Sequence, residues 1–415
     1  MADSVRLRLE DPLAAGEVAG TVRALVPPAA AITAEVAEIV SAVRDGGDAA
    51  LTEFARRLDG VDGDLRVAPA ELDAALGALD PQVRAALELA IANVEAVARA
   101  GVGADVDVPL PQGQVVRLRE IPVRRAAVYV PGGRAPYPSS VVMGVITARA
   151  AGVEEIVVCA PGGHPVILAA CALCGVTEAY RAGGAHAIAA LAHGTETIER
   201  VDVIVGPGNT WVQEAKRLVS GSVGIDGFAG PSDVLVIASQ GADPALVAID
   251  LLAQAEHGEG SLAVAVSEDP ALLDAIAERL EAATGTGAGL ALVGVPDAAT
   301  ALAFAEAFAP EHLELQGAAA EALAPQVRSA GCLFVGAAGA TAFGDYVAGS
   351  NHTLPTGGAA RFASGLNVRH FRRRMSEVRI GDAAGALAGP GATIARAEGF
   401  DVHAASMEVR ENGAG

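Results

Sequence analysis

Residues Ala253–Gly260 read AQAEHGEG and follow the apolar run LVAIDLL. Gln254 and His257 stand three apart, so on a helix they share a face. An amide oxygen and an imidazole aimed at one point make half of a metal site, although the same spacing suits a polar, solvated helix end. Pro310-Glu311-His312 sets a carboxylate beside an imidazole at a strand edge. His is the usual general base near neutral pH, and Glu can take a second proton or activate water. Neighbours on a strand point to opposite faces, so both serve one site only where the backbone is irregular; a surface turn is the plainer reading. Gly344-Asp345-Tyr346 and Ser350-Asn351-His352 make a polar loop after a strand. Asp345 there is a candidate ligand and His352 a candidate substrate holder, unless both are ordinary turn residues. Glu398 and His403 bracket GFDV near the end of the chain, where an isolated His is ordinarily exposed. Two Gly-rich turns, Pro131-Gly132-Gly133 and Gly206-Pro207-Gly208-Asn209, lie between strand and helix, where backbone N–H groups can meet phosphate. Neither is a GxGxxG, and tight structural turns account for both.

These residues need a frame. The first hundred positions are helical in pattern, with helices predicted over 33–44, 49–58 and 81–101 and no strong β signal. Asp80-Pro81 is a cap followed by proline in the first turn. From about Pro122, short apolar runs alternate with helical segments. Strands are predicted at 126–130, 155–160, 179–182 and 202–205, with helices at 139–151, 165–174 and 185–192 between them. After a loop at 221–231 the cycle repeats: strands at 234–238, 262–266, 290–293, 312–315 and 332–335, helices at 244–256, 271–283 and 298–308. This is an α/β chain of two tandem Rossmann-like doubly wound units, with a helical N-terminal region and a small C-terminal tail domain. The division expected is an arm over 1–21, a first α/β domain from 22–103 and 232–365, a second over 104–231, and the tail over 366–415. Ligands of such sheets sit beyond the carboxyl ends of strands, so the polar residues are expected just after strands.

Composition narrows the class. A chain of 415 residues exceeds one small core. Half of it is hydrophobic (52%), yet no apolar run spans a bilayer, and MADSVRLRLEDPL lacks an apolar signal core. A cytoplasmic protein without membrane contact is expected. A net charge of −21 argues against a nucleic-acid partner. The basic run Arg369–Arg374 (RHFRRR) reads as solvated or carboxylate-paired. Cys171 and Cys174 have redox spacing but lie in AACALCGV, with no second CxxC, and read as buried small hydrophobes.

Seven ordered motifs resemble histidinol dehydrogenase: VYVPGG (128–133), YPSSVVM (137–143), GPGN (206–209), AGPSDVLVIA (229–238), DLLAQAEH (250–257), APEHLEL (309–315) and GDYVAGSNHTLPT (344–356). The resemblance runs from about residue 20 to His403. It implies Zn2+, one per subunit, held by Gln254, His257, Asp345 and His403. It implies substrate contacts from Ser139, Ser232, His312, His352, Glu398 and His403, besides the metal ligands. It implies a homodimer with shared sites, His403 and Glu398 acting in the partner's site. The reaction implied is oxidation of L-histidinol to L-histidine with two NAD in turn. His312 would take the alcohol proton as hydride leaves, and Glu311 would activate water for the second oxidation. Tyr129 and Asn209 match NAD-contacting positions, as does His186, where the family usually has Gln. Arg134 stands where relatives often have a small residue, and Asp233 replaces a common Glu.

Two rivals remain at this stage. A family relative oxidising another small polar alcohol, such as a sulfonated diol, would keep the zinc and the Glu-His pair but alter the imidazole-holding groups; His352, Glu398 and His403 favour histidinol. A two-lobed solute-binding protein would want a secretory signal and no Glu311-His312 beside a metal set. Structural zinc prefers four Cys or His ligands and fits poorly.

Overall fold

The computed structural model describes residues 4–26, 32–132, 135–227, 230–280 and 286–411. Gly133, Arg134, Ala229 and the expected helix end at 281–283 lie outside them. In chain order the strands are β1 (Val5–Arg8), β2 (Val106–Pro109), β3 (Val115–Pro122), β4 (Arg125–Tyr129), β5 (Glu155–Cys159), β6 (Glu178–Tyr180), β7 (Val203–Val205) and β8 (Gly224–Ile225). They continue as β9 (Asp233–Ala238), β10 (Leu262–Ser267), β11 (Gly289–Gly294), β12 (His312–Gln316), β13 (Cys332–Val335) and β14 (Arg372–Arg379). The helices are α1 (Ala15–Arg23), α2 (Thr33–Phe54), α3 (Pro69–Gly77), α4 (Pro81–Ala100), α5 (Pro138–Ala150), α6 (Pro165–Leu173), α7 (Gly184–His193) and α8 (Thr210–Val219). After them come α9 (Pro244–Ala255), α10 (Pro270–Leu280), α11 (Ala298–Phe308), α12 (Ala318–Glu321), α13 (Thr341–Tyr346), α14 (Ala384–Ala397) and α15 (Asp401–Glu408).

Two parallel sheets carry the larger compact unit, residues 1–101 and 124–371. One sheet has the order β6-β5-β4-β7-β8, the other β1-β11-β10-β9-β12-β13. In each, the first strand after the N-terminal region lies centrally and the chain winds outward to both sides, the doubly wound order. Strands buried on both faces read as continuous apolar runs, which is why β4, β9 and β10 were legible as AAVY, VLVIA and LAVAV.

Four departures from the sequence reading have physical causes. Val5–Arg8 is a strand, parallel to β11. Its alternation of apolar and basic residues suits a sheet edge, and its partner is almost three hundred residues away. The helices of residues 33–100 do not join the later sheet. Val36, Val40, Val43 and Leu51 of α2 pack with Ile188, Leu191 and Val212 against the β4–β8 sheet, α3 meets α6, and α4 meets α5. Only α1 serves the later sheet, lying on α11 with Phe304 and Phe308. The smaller unit begins at residue 372 and takes in residues 102–123 as well. Its core is the antiparallel sheet β14-β3-β2, so the tail cannot fold without a segment more than two hundred residues earlier. Of the basic run, Arg374 is carboxylate-paired there: its Nε lies 2.7 Å from a Glu120 carboxylate oxygen.

Among the described residues, no helix is long and apolar enough to cross a membrane. Cys159, Cys171 and Cys174 are buried, and all four cysteines are free.

Candidate active site

The fourth departure concerns the site. Ser232 immediately precedes β9, Glu311 precedes β12, and His312 opens it. Val234 pairs with His312, so these residues lie side by side at the amino edge of the later sheet, not beyond its carboxyl ends. Helix α9 runs back toward this edge and delivers Gln254 in its last turn, with His257 just past it. The connection from α9 to β10 must return to the start of a strand, which explains why a helix end, rather than a strand end, carries the candidate ligands.

Glu311 and His312 serve one site because the backbone before them is irregular. Ala309 closes α11 at φ +48°, the one non-glycine residue in the left-handed region among those described. That conformation costs an alanine roughly 1 kcal/mol. Arg23 from α1 supports it, donating to the Phe308 carbonyl, stacking 3.9 Å over the Phe308 ring and pairing with Asp233 at 3.2 Å.

Asp233 organises the pair. Its fully buried carboxylate accepts the Glu311 N–H at 2.7 Å, and its own N–H donates to the Glu311 carboxylate at 3.1 Å. Its carbonyl accepts from His312 Nδ1 at 3.2 Å. A carbonyl can only accept, so Nδ1 carries a proton, and in the neutral ring Nε2 is the nitrogen with the lone pair. Nε2 lies 3.7 Å from the Asp345 carboxylate. Burial pushes the Glu311 carboxyl up to about 7, against the opposing pull of His312; the Asp233 charge adds to the rise. Ser232 connects this pair to the ligands: its hydroxyl is bonded to Glu311 and accepts from Gln254 Nε2 at 2.9 Å.

Asp345 is on α13, which packs against α9. His257 lies in the electrostatic reach of Asp345 and His312. His352 Nδ1 donates to the Asp345 carbonyl at 3.1 Å, so its Nε2 is an acceptor and takes the Ser140 hydroxyl at 3.3 Å. The structure thus brings Ser232, Gln254, His257, Glu311, His312, Asp345 and His352 together. Ser139 is one residue from the serine that makes the observed bond; Ser140 went unread because two adjacent serines in the first turn of α5 look alike in sequence. Arg23 also went unread. Glu398 and His403 lie in the smaller unit, both exposed, with His403 stacked on Phe400 at 5.0 Å.

Among the described residues, no three His, Cys, Asp or Glu side chains gather into a metal-binding group. The donors at this edge are one amide, one imidazole and one carboxylate, a mixed N/O set short of a closed tetrahedron. With the Gln254 NH2 turned to Ser232, its oxygen is the end free for a cation.

Tyr129, His186 and Asn209 occupy the carboxyl edge of the earlier sheet, Tyr129 ending β4 and the other two following β6 and β7. The His186 imidazole turns inward, 1% exposed, because Asp59 offers a carboxylate 2.9 Å from Nε2 and Phe54 a stacking face. Tyr129 is buried, its hydroxyl accepting the Gly184 N–H at 3.1 Å, and burial pushes that hydroxyl up to about 12. Asn209 is exposed and caps α8 through the Val212 N–H. The Gly206 N–H, a candidate phosphate donor by sequence, is bonded to Asp226 at 2.7 Å.

An imidazole with a free Nε2, a neighbouring carboxyl that titrates near neutrality, and a mixed donor set on a doubly wound frame define an α/β enzyme built for proton transfer. Residues 27–411 match the family described as histidinol dehydrogenase. The histidinol dehydrogenases of Rhizobium meliloti and Leifsonia xyli are 45% and 44% identical, over 92% and 94% of both chains. The crystal structure of histidinol dehydrogenase from Elizabethkingia anophelis superposes with a TM-score of 0.91 over 98% of each chain at 30% identity. The chain belongs to the histidinol dehydrogenase family and is an oxidoreductase.

Proposed function

We propose that this enzyme oxidises L-histidinol to L-histidine through L-histidinal, the last steps of histidine biosynthesis. Two tandem Rossmann-like units supply the frame, the earlier one for NAD, the later one for substrate. The observation that carries the reading is the fixed tautomer of His312 beside Glu311, with Nε2 open toward Asp345. When bound, NAD would take one hydride per oxidation, and a Zn2+ held by Gln254, His257 and Asp345, with His403 as the fourth ligand, would orient the substrate amine and imidazole.

In the first oxidation His312 Nε2 accepts the hydroxyl proton as the carbinol hydride departs, leaving the aldehyde. In the second, the Glu311 carboxylate takes a proton from water as its oxygen adds to that aldehyde. The hydrate anion so formed then loses its hydride, giving the acid. Ser232, bonded to both Glu311 and Gln254, keeps the base and the ligand in register. Ser140 holds the His352 ring in place through Nε2 at the substrate wall. Ser139 joins this substrate wall from the start of α5, while Tyr129 and Asn209 line the dinucleotide side.

His403 and Glu398 complete the partner's site in a homodimer. Exposed Phe343 and Tyr346 beside Asp345, and exposed Phe400 and Val402 beside His403, support such a covered surface. Four free cysteines fit a reducing cytoplasm.

The test is the NADH formed per L-histidinol consumed, with and without a chelator and zinc add-back. The expected result is about two NADH per substrate, lost on chelation and restored by zinc. No NADH from zinc-loaded protein shown to bind NAD overturns the reading.

A further inference from the structure

Two turns at the carboxyl edge of the earlier sheet are built alike. Gly183-Gly184 leads from β6 into α7, and Gly206-Pro207-Gly208-Asn209 leads from β7 into α8. In each, an aspartate from a different segment accepts the N–H of the first glycine: Asp59 takes Gly183 at 2.7 Å, and Asp226, just after β8, takes Gly206 at 2.7 Å. In each, the same aspartate meets a base on the helix that follows. Asp59 lies 2.9 Å from His186 Nε2, and Asp226 pairs with Lys216 Nζ. Lys216, the chain's only lysine, also donates to the Gly206 carbonyl at 3.0 Å. Both bases are 1% exposed.

Tyr129 ties the two turns together. Its hydroxyl accepts the Gly184 N–H, and its carbonyl lies against Gly206 so closely that a Cβ there would collide with it. Gly184 at φ +56° and Gly206 at φ +118° both need the freedom of glycine. Burying two acid–base pairs is costly unless every group is bonded, and apolar residues of like size would often serve stability better. What these pairs add is position: Asp59 holds the Gly183 N–H, and Asp226 and Lys216 hold the N–H and the carbonyl of Gly206, three residues before Asn209.

Resting on the NAD reading above, we propose that Asp59 and Asp226 are positioning residues for the dinucleotide, each latching one of the two turns on which the cofactor lies. Neither touches the cofactor. Each acts through a glycine N–H, and the paired base keeps the carboxylate in place. His186 therefore serves the cofactor edge by holding Asp59.

The experiment uses the full-length, zinc-loaded enzyme and three variants: Asp59→Asn, Asp226→Asn, and the double replacement Asp226→Leu with Lys216→Met. Steady-state KM for NAD and for L-histidinol is measured in each, with NAD binding followed by calorimetry and folding by thermal melting. The double replacement removes the latch without stranding a buried charge, so it should melt near wild type. Losing a charge-assisted bond at the turn should raise KM and Kd for NAD on the order of tenfold, with KM for L-histidinol within about twofold. If the asparagine variants do not fold, the double replacement and Asp59→Glu, which keeps the charge but shifts the acceptor, still decide. Folded variants with unchanged NAD affinity, or with both KM values raised alike, overturn the proposal. Wild-type protein that fails to reduce NAD overturns the underlying functional reading instead, before any variant is compared.

Discussion

Asp233 and Glu311 hold each other by reciprocal bonds, each carboxylate accepting the other's backbone N–H, at 2.7 and 3.1 Å. The clasp joins the start of β9 to the residue before β12 and buries two acids within one small volume. Burial pushes both carboxyls up, Glu311 to about 7. A group whose native pKa is raised binds its proton more tightly in the folded state. Its contribution to stability is present in full below the unfolded value and is lost as pH rises through about 7. Glu311→Gln keeps the acceptor for the Asp233 N–H and removes the titration. We expect the variant to exceed wild type by about 2 kcal/mol at pH 8 in urea unfolding and to lose that advantage at pH 5. Its histidinal oxidation should fall by a factor of about 10²–10⁴. Equal stability offsets at both pH values would contradict the assignment of the near-neutral titration to Glu311.

Arg23 is the cation nearest this clasp. Its guanidinium meets Asp233 at 3.2 Å and supports the strained Ala309 turn from the other side. Arg23→Met leaves the Asp233 carboxylate buried without its counter-charge. We expect a loss of about 3 kcal/mol in denaturant unfolding. Because the Asp233 carbonyl holds the His312 Nδ1–H, kcat should fall as well. A variant of wild-type stability would show that Asp233 draws its compensation from backbone donors alone.

How far the sequence carries depends on the range of the interactions. Buried parallel strands announce themselves as apolar runs, and Asp80, Asp243 and Asp297 cap α4, α9 and α11 within three residues of themselves. The Glu311-His312 pair was legible as chemistry because the two residues are adjacent. Its location was not. A strand's two ends look alike in sequence, and only the pairing of β12 with β9 places the pair at the amino edge. Asp59 could not be matched to His186 across more than a hundred residues, nor Arg23 to Asp233 across more than two hundred. The three-stranded sheet escaped for the same reason: β14 and β3 are each unremarkable until they pair.

Behind the site, Asp250 and Glu314 form a second acid pair. Gln316 Nε2 donates to Asp250 at 3.0 Å and to Glu314 at 3.1 Å, and Glu314 also accepts from the Thr341 N–H that begins α13. Burial, then the Glu314 charge, pushes Asp250 up to about 7. The sign is that of Glu311: the native state is favoured while the proton is bound and penalised as pH rises through about 7. Asp250→Asn supplies a permanent donor toward Glu314. We expect it to be more stable than wild type at pH 8 by about 1–2 kcal/mol and no more stable at pH 5, read from urea midpoints. A variant destabilised at pH 8 would mean that the Asp250 charge is needed there.

Ser140 gives the sharpest separation of binding from chemistry. Its hydroxyl bonds to His352 Nε2, while His352 Nδ1 is committed to the Asp345 carbonyl. The imidazole is thereby held between the helix start of α5 and the loop after α13, with both ring nitrogens engaged. Asn351 pins the same loop to α5 by donating to the Met143 carbonyl at 3.1 Å. Ser140→Ala removes one neutral hydrogen bond and leaves this anchor intact, so the fold should survive with a loss of about 1 kcal/mol. The ring regains freedom about its orientation, which affects substrate seating before any proton moves. We therefore expect KM for L-histidinol to rise about three- to tenfold with kcat changed much less. KM for NAD should stay put, because the Tyr129 and Asn209 turns are held by their own contacts. Ser139→Ala is the control: its hydroxyl lies one helical position away, and a larger effect there than at Ser140 would move the substrate contact to the neighbouring serine.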